Sequence, residues 1–198
     1  MTLATALYGG GGSGTKYRAG NLYLAAPGAI GTTASSINVD TIIPFSPRLN
    51  MTLDRVAWYR DNTNAGNVYV GLYSSAGVLL TDCALDNDTT AGWHLVDTTN
   101  VALTANEFYW LCWNASADVA GTQTLSTSDA VASLRPTYEA LMEQYGLAIG
   151  IGGTSTDMRG TAQAKTRTNA ALLATLTMSG WAQINDNLNV PVMGVIPA

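Results

Sequence analysis

His94 is the only histidine in the chain, so any Ser-His-Asp triad or imidazole metal site must be built around it. No Gly-x-Ser-x-Gly motif accompanies it, since Gly12-Ser13-Gly14 lies in a glycine-rich stretch. A zinc site would reduce to Cys83, Cys112, His94 and a carboxylate, without the C-x-x-C spacing of zinc sites. We therefore predict a strand histidine beside Trp93, with no catalytic role, no metal and no cofactor.

The acidic residues also lack the spacing that chemistry requires. Asp82 and Asp86-Asn87-Asp88 form a small cluster. A calcium loop needs an alternation of ligands with a turn glycine and a late glutamate, and Asp86-Asn87-Asp88-Thr89-Thr90 lacks that ending. We interpret the cluster as a turn rich in Asx residues. A glycosidase needs two opposed carboxylates, and the only glutamates are Glu107, Glu139 and Glu143, of which the last two are helical neighbours. The chain is therefore predicted not to be an enzyme.

Aromatic side chains are the remaining groups that could recognise a partner or a sugar. Most of the five tryptophans lie in strand-like segments, where core packing is the usual role, but Trp181 lies beside turn-like sequence. The N-terminal segment spaces three tyrosines between polar residues and two basic ones, which is unusual for a solvated tail. The residues predicted to bind a partner are Tyr8, Tyr17, Arg18, Tyr23 and Trp181.

Composition excludes several classes of partner. Charged residues make up 12%, against about 25% in soluble domains, and the net charge is −5. No run of Lys or Arg predicts a nucleic-acid surface, and no apolar run approaches the ~20 residues of a membrane-spanning helix. Residues 1–7 lack a basic n-region, so we expect no secretory signal and assembly in a cytoplasm.

Cys83 and Cys112, each in an apolar run, are predicted to be buried free thiols.

Strand signals dominate from residue 39 onward. Val68, Val70 and Leu72 alternate with other residues in period two, Ser74–Gly77 predicts a turn, and Phe108–Trp113 is a continuous apolar run typical of a central strand. Further strands are predicted at Val56–Tyr59, Val78–Leu80, Trp93–Val96, Leu147–Ile151, Leu172–Met178 and Val190–Val195. This spacing favours an antiparallel β-sandwich over residues 39–198.

Two segments depart from the strand pattern. Residues 1–38 are predicted to be an extended arm, because the glycines of Gly9–Gly14 hold no conformation alone and need an outside partner. In the C-terminal third, Ser128-Asp129-Ala130 is predicted to cap a short helix through Leu134. Residues 136–145 are a second helical candidate.

Residues 52–113 resemble a recurrent jelly-roll-like β-sandwich module of phage tail-fibre and capsid-decoration proteins. The matching segments, in order, are Leu53-Asp54-Arg55-Val56, Val68-Tyr69-Val70-Gly71-Leu72-Tyr73, Ser74-Ser75-Ala76-Gly77-Val78-Leu79-Leu80, Gly92-Trp93, and Val101-Ala102-Leu103-Thr104-Ala105 leading into Phe108-Tyr109-Trp110-Leu111. The module often has Arg or Lys where Tyr69 stands, and Gly where Asn106 or Glu107 stands, so a different turn is expected there.

The resemblance implies a bacteriophage virion structural protein with an all-β fold: an antiparallel, jelly-roll-like β-sandwich with an extended N-terminal arm. Within that class, the small size, low charge and arm favour a capsid decoration, or cement, protein that binds across neighbouring capsid subunits. The expected partners are the major capsid protein or other virion proteins and copies of the chain itself, with a trimer favoured. The alternative is a tail-fibre or receptor-binding adaptor that recognises a host-surface glycan.

Overall fold

A computed structural model describes residues 20, 22–24, 29–31, 37–47, 49–82, 85–119, 122–124, 163–179, 181–183, 190–191 and 193–198. All regular secondary structure in these residues is β-strand, and every strand pairing is antiparallel. The prediction of an all-β fold is therefore confirmed for this part of the chain. The strands are β1 (Tyr23–Leu24), β2 (Ala29–Gly31), β3 (Val39–Phe45), β4 (Met51–Arg60), β5 (Val68–Ser74), β6 (Leu79–Asp82), β7 (Gly92–Leu103), β8 (Tyr109–Ala115), β9 (Thr122–Thr124), β10 (Gln163–Thr166), β11 (Ala182–Gln183), β12 (Val190–Pro191) and β13 (Met193–Pro197).

The strands form three sheets. The four-stranded sheet has the order β1-β13-β4-β7, and the six-stranded sheet has the order β11-β10-β3-β8-β5-β6. A small third sheet has the order β12-β9-β2. Apart from the hairpins β5–β6 and β10–β11, consecutive strands thus belong to different sheets. No helix long and apolar enough to cross a bilayer is found in the part of the chain just defined.

The two larger sheets share one hydrophobic core. Val56 and Trp58 of β4 and Val195 of β13 contribute from the four-stranded sheet, and Val70 of β5 and Trp113 of β8 from the six-stranded sheet. All five are fully buried. Since burial of one large apolar side chain stabilises by about 1.5–3 kcal/mol, this shared core is the main attraction between the two sheets.

Strand β8 is buried along its whole length because both of its faces are covered. Leu111 and Trp113 face the shared core, whereas Trp110 and Cys112 point to the opposite face and join a second cluster with Trp181. This double burial explains why the sequence shows a continuous apolar run rather than alternation. Cys112 is a buried free thiol, as predicted, whereas Cys83 lies outside the described residues.

A segment without regular structure covers the outer face of the six-stranded sheet. The Leu176 amide donates to Gly77 O at 2.7 Å, and the Tyr73 hydroxyl donates to Leu173 O at 2.8 Å. One isolated bridge, between Val78 and Thr175, joins it to the hairpin at β5 and β6. The strand predicted over Leu172–Met178 is therefore wrong. This segment packs across the sheet instead of continuing it.

Two turns explain local features of the sequence. In the predicted turn between β5 and β6, the Ser74 amide donates to Val78 O and Gly77 adopts a φ of +80°, which glycine accepts without strain. Between β7 and β8, Asn106 adopts a φ of +62°. Asparagine tolerates this left-handed conformation, so Asn106 takes a backbone conformation that glycine favours.

The polar pair Asp40 and Arg167 attaches the region after β10 to the six-stranded sheet. Arg167 Nε donates to Asp40 Oδ2, and Asn114 Nδ2 donates to Asp40 Oδ1 at 2.8 Å. Asn169 Nδ2 completes the group by donating to Asn114 Oδ1 at 2.6 Å. The hydrogen bond that Arg167 donates to Asp40 raises the pKa of the Arg167 guanidinium, which keeps the buried carboxylate paired with a positive charge.

Part of the predicted arm is bonded to the folded body. The Gly20 amide donates to Pro197 O at 3.0 Å, and β1 pairs Tyr23 with Val195. Ala29–Gly31 pairs with β9. Residues 1–19, the two predicted helices at 128–134 and 136–145, and the predicted strand at 147–151 lie outside the described residues.

Candidate functional site

The loop between β6 and β7 is shaped by its own carboxylates. Asp86 Oδ1 accepts from the Asp88 amide at 3.1 Å, and Asp88 Oδ1 accepts from the amide and hydroxyl of Thr90 at 2.9 and 2.8 Å. The Asp86 backbone also exchanges two hydrogen bonds with Val68 of β5. The prediction of an Asx-rich turn is thus confirmed for Asp86–Asp88.

His94 holds this loop against β7. Its Nδ1 lies 2.6 Å from Asp86 Oδ2, and its Nε2 lies 2.7 Å from Thr90 O. A backbone carbonyl accepts only, so Nε2 carries a proton and donates it. Trp58 Nε1 donates to the same Asp86 oxygen at 2.8 Å, and its ring centroid lies 4.5 Å from that of His94.

Both ring nitrogens of His94 are therefore engaged, and the side chain is buried at 8% exposure. Neither nitrogen faces a serine or cysteine in these hydrogen bonds. Among the residues that the structure describes, no group of three His, Cys, Asp or Glu side chains could hold a metal ion. This geometry favours a structural role, in which His94 links the loop, β7 and β4.

Arg60 is a second buried polar group at this corner, and it is not among the residues predicted from the sequence to have a functional role. Its Nε donates to Asn62 O at 3.0 Å, its Nη2 donates to Asn64 O, and its guanidinium carbon lies 5.8 Å from the Trp58 ring. Nη1 is buried and has no hydrogen-bond partner within the described part of the chain. Burial lowers the pKa of the Arg60 guanidinium, and the carboxylates of Asp86 and Asp88 oppose that shift. The burial of Arg60 could have been predicted from its spacing in β4. Residues two apart in a strand point to the same face, so Val56, Trp58 and Arg60 all lie on the inward face.

A cleft of about 530 Å³ lies beside this corner. It is formed by Leu85, Asp86 and Asp88 on the loop and by residues 90–97, and we call it the His94 cleft. Leu85 and Leu95 are 42% and 48% exposed, which is high for leucine. Among the described residues, the lining contains three aspartates and no lysine or arginine. The cleft thus offers an apolar surface with negative charge around it.

Of the residues predicted to bind a partner, the structure describes Tyr23 and Trp181, and neither lines this cleft. Tyr8, Tyr17 and Arg18 lie outside the described residues, and Tyr23 belongs to β1 at the far edge of the four-stranded sheet. Trp181 is only 7% exposed, and its Nε1 donates to Thr177 O at 2.9 Å. The expected surface position of Trp181 is therefore wrong, because its ring packs with residues 172–179 over the outer face of β8.

Comparison with known proteins identifies a family for most of this body. Residues 31–140 match the family described as a domain of unknown function (DUF4082). The chain belongs to this family. The DUF4082 match runs from β3 through β9 and contains the whole His94 cleft, whereas β10 to β13 lie outside it. No curated protein matches the chain.

Proposed function

We propose that this chain is a bacteriophage virion structural protein, most specifically a capsid decoration protein without enzymatic activity. In this proposal a jelly-roll-like β-sandwich sits on the capsid surface as a trimer. Residues from the N-terminal arm extend across neighbouring capsid subunits. The protein would be made and assembled in the host cytoplasm and reside in the virion, and it would stabilise the head by adding contact area and by tethering several subunits at once.

The observation that carries the proposal is the point at which the N-terminal segment joins the body. Gly20 is bonded to Pro197 beside β1, which is the outermost strand of the four-stranded sheet. Residues 1–19 therefore precede an attachment point at a sheet edge. A fully extended chain of this length spans up to ~65 Å, enough to reach a neighbouring subunit.

The body has features of a rigid platform. The two larger sheets share a core that contains two fully buried tryptophans, Trp58 and Trp113, and the second cluster holds residues 172–179 on the outer face of the six-stranded sheet. The engagement of both His94 nitrogens supports a structural role for the residue that an enzyme would most readily use. A sandwich of this kind contributes surface and stiffness rather than chemistry.

Immunogold electron microscopy of virus particles from a lysate tests the proposal directly. Antibody raised against the chain should label the head surface at regular positions. Deletion of residues 1–14 should leave the fold intact, by circular dichroism, and abolish attachment to the particles. Unlabelled particles, or normal attachment of the truncated protein, would contradict the proposal.

The His94 cleft favours a second candidate function, a receptor-binding adaptor in a tail fibre. Trp93 is half-buried in the cleft and packs edge-on against Tyr59 at 5.4 Å, next to the exposed carboxylate of Asp88. An aromatic face beside a carboxylate is a common way to hold a sugar. Saturable binding of the purified chain to host cells, with gold label at the tail instead of the head, would support this candidate.

A further inference from the structure

The His94 cleft follows the edge of a strand and not one of its faces. It contacts every residue from Gly92 to Asp97, although successive residues of a strand point to opposite sides. Only a groove along the strand edge meets all of them. Six strand residues span ~20 Å, so the cleft accommodates an extended peptide segment lengthwise.

The charges of the cleft define which segment fits. Among the described residues, Asp97 pairs with Arg55 at 2.8 Å and Asp86 pairs with His94, whereas the Asp88 carboxylate accepts hydrogen bonds from Thr90 and forms no salt bridge. Hydrogen bonds from Thr90 lower the pKa of the Asp88 carboxyl, so it stays charged at neutral pH. With Leu85 and Leu95 exposed beside it, the cleft suits a segment that combines basic and aromatic side chains.

Residues 16–18 have this composition. Lys16-Tyr17-Arg18 is the one place in the sequence where a tyrosine lies between two basic residues. We propose that the His94 cleft of one copy of the chain binds Lys16-Tyr17-Arg18 of a second copy. The inference deepens the proposed function and depends on its arm-docking part, because it names the surface that the arm meets.

Chain length requires the second copy. Gly20 is bonded to Pro197, Pro197 pairs with Leu53 of β4, and Leu53 pairs with Val101 of β7, which places Gly20 level with Val101. Leu95 pairs with Ala57, which lies four residues from Leu53 along β4, or ~13 Å, and β7 lies three strands from β1, or ~14 Å. The direct distance is thus ~20 Å.

The chain's own arm falls short of that distance. Two residues separate Arg18 from Gly20, which is ~7 Å of extended chain, and four residues separate Lys16 from Gly20, which is ~14 Å. Docking between copies is therefore head-to-tail. A head-to-tail contact forms a closed ring when the rotation that relates one copy to the next returns to the first copy. A ring of three copies would be the proposed trimer.

Sedimentation of the full chain and its variants tests this inference. The natural chain should associate at about micromolar concentration, while Asp88→Lys, or Lys16→Asp with Arg18→Asp, should weaken association at least about tenfold. Glu107→Lys is the matched control: it makes the same charge change at an exposed residue outside the cleft and should have no effect. Leu95→Ser, at the apolar part of the cleft, should weaken association as Asp88→Lys does.

Mixing the variants gives the decisive result. The Asp88→Lys chain keeps an intact arm, and the chain with Lys16→Asp and Arg18→Asp keeps an intact cleft, so an equimolar mixture should regain complexes that neither forms alone. A natural chain that stays monomeric at ~100 μM, a mixture that stays monomeric, or an equal effect of Glu107→Lys would each overturn the inference. Any of these results, together with loss of particle attachment on deletion of residues 1–14, would overturn this inference and leave the proposed function standing.

Discussion

Asp86 Oδ2 lies 2.6 Å from His94 Nδ1, although the two residues belong to different elements and Asp86 is bonded through its backbone to a different sheet from that of His94. The same oxygen accepts from Trp58 Nε1. One carboxylate therefore joins β7, β4 and the loop that leads from the six-stranded sheet. The corner beside the cleft depends on this atom.

Replacing Asp86 should destabilise the fold strongly. Asp86→Ala leaves Trp58 Nε1 and His94 Nδ1 buried without their acceptor, which costs about 3 kcal/mol of unfolding free energy. Urea unfolding followed by tryptophan fluorescence measures the loss. Asp88→Ala is the control, because Asp88 bonds only within its exposed loop and should change the unfolding free energy much less. Equal effects of the two substitutions would contradict the role assigned to Asp86.

The two Arg–Asp pairs should differ in their contribution to stability. The side chains of Arg167 and Asp40 are 19% and 3% exposed, so Arg167→Ala leaves an uncompensated buried carboxylate and should cost about 3 kcal/mol. The side chains of Arg55 and Asp97 are 43% and 83% exposed, and Arg55→Ala should cost less than about 1 kcal/mol. Urea unfolding of both variants makes the comparison. A similar cost for both would show that Asp40 does not depend on Arg167.

Glycine at position 77 should be required for the cover over the outer face of the sheet. A Cβ there would lie 2.6 Å from Leu176 O, which pushes the covering segment away. Gly20 has a similar φ, +74° against +80°, and no atom of the described residues lies within 4 Å of the position that its Cβ would take. Gly20→Ala should therefore cost about 1 kcal/mol from backbone strain alone, and Gly77→Ala clearly more. Thermal unfolding tests this order, and an equal loss would mean that the segment adapts without cost.

Asp61 should make stability depend on pH. Burial, and then the charge of Asp118, raise the pKa of the Asp61 carboxyl above its ordinary value of 3.8. The folded state then binds the proton more tightly than the unfolded chain, so ionisation of Asp61 opposes folding once the pH exceeds the raised pKa. Asp61→Asn should be more stable than the natural chain at pH 7, by less than about 1 kcal/mol, and this gain should vanish below about pH 4.

Urea unfolding of both proteins between about pH 3 and pH 7 checks this window. Asp118→Asn should reproduce part of the gain, because it removes the repulsion and leaves the burial of Asp61 unchanged. A gain from Asp61→Asn that is constant with pH would contradict a raised pKa as its cause.

The hydrophobic pattern of the sequence predicted a strand correctly where the strand buries every residue of one face, or every residue of both faces. The alternation of Val68, Val70 and Leu72 became β5, and the apolar run at Phe108–Trp113 became most of β8. The segment Leu172–Met178 is apolar for a different reason: it covers the outer face of the sheet and makes one bridge. Hydrophobic residues in a covering segment and in a strand look alike in sequence, since burial sets both.

The sequence by itself determined the fold class, the main strands and the turn at Gly77, because period-two burial and turn conformation involve residues that are neighbours along the chain. Only the tertiary structure decided that Trp181 is buried, that Arg60 lies beneath Trp58, and that Asp86 meets His94. In each case strand pairing and packing set the distance in space between residues that are not neighbours along the chain. Tertiary packing also placed the cleft on the edge of β7 and Gly20 at the opposite edge, and that separation is the basis for docking between copies.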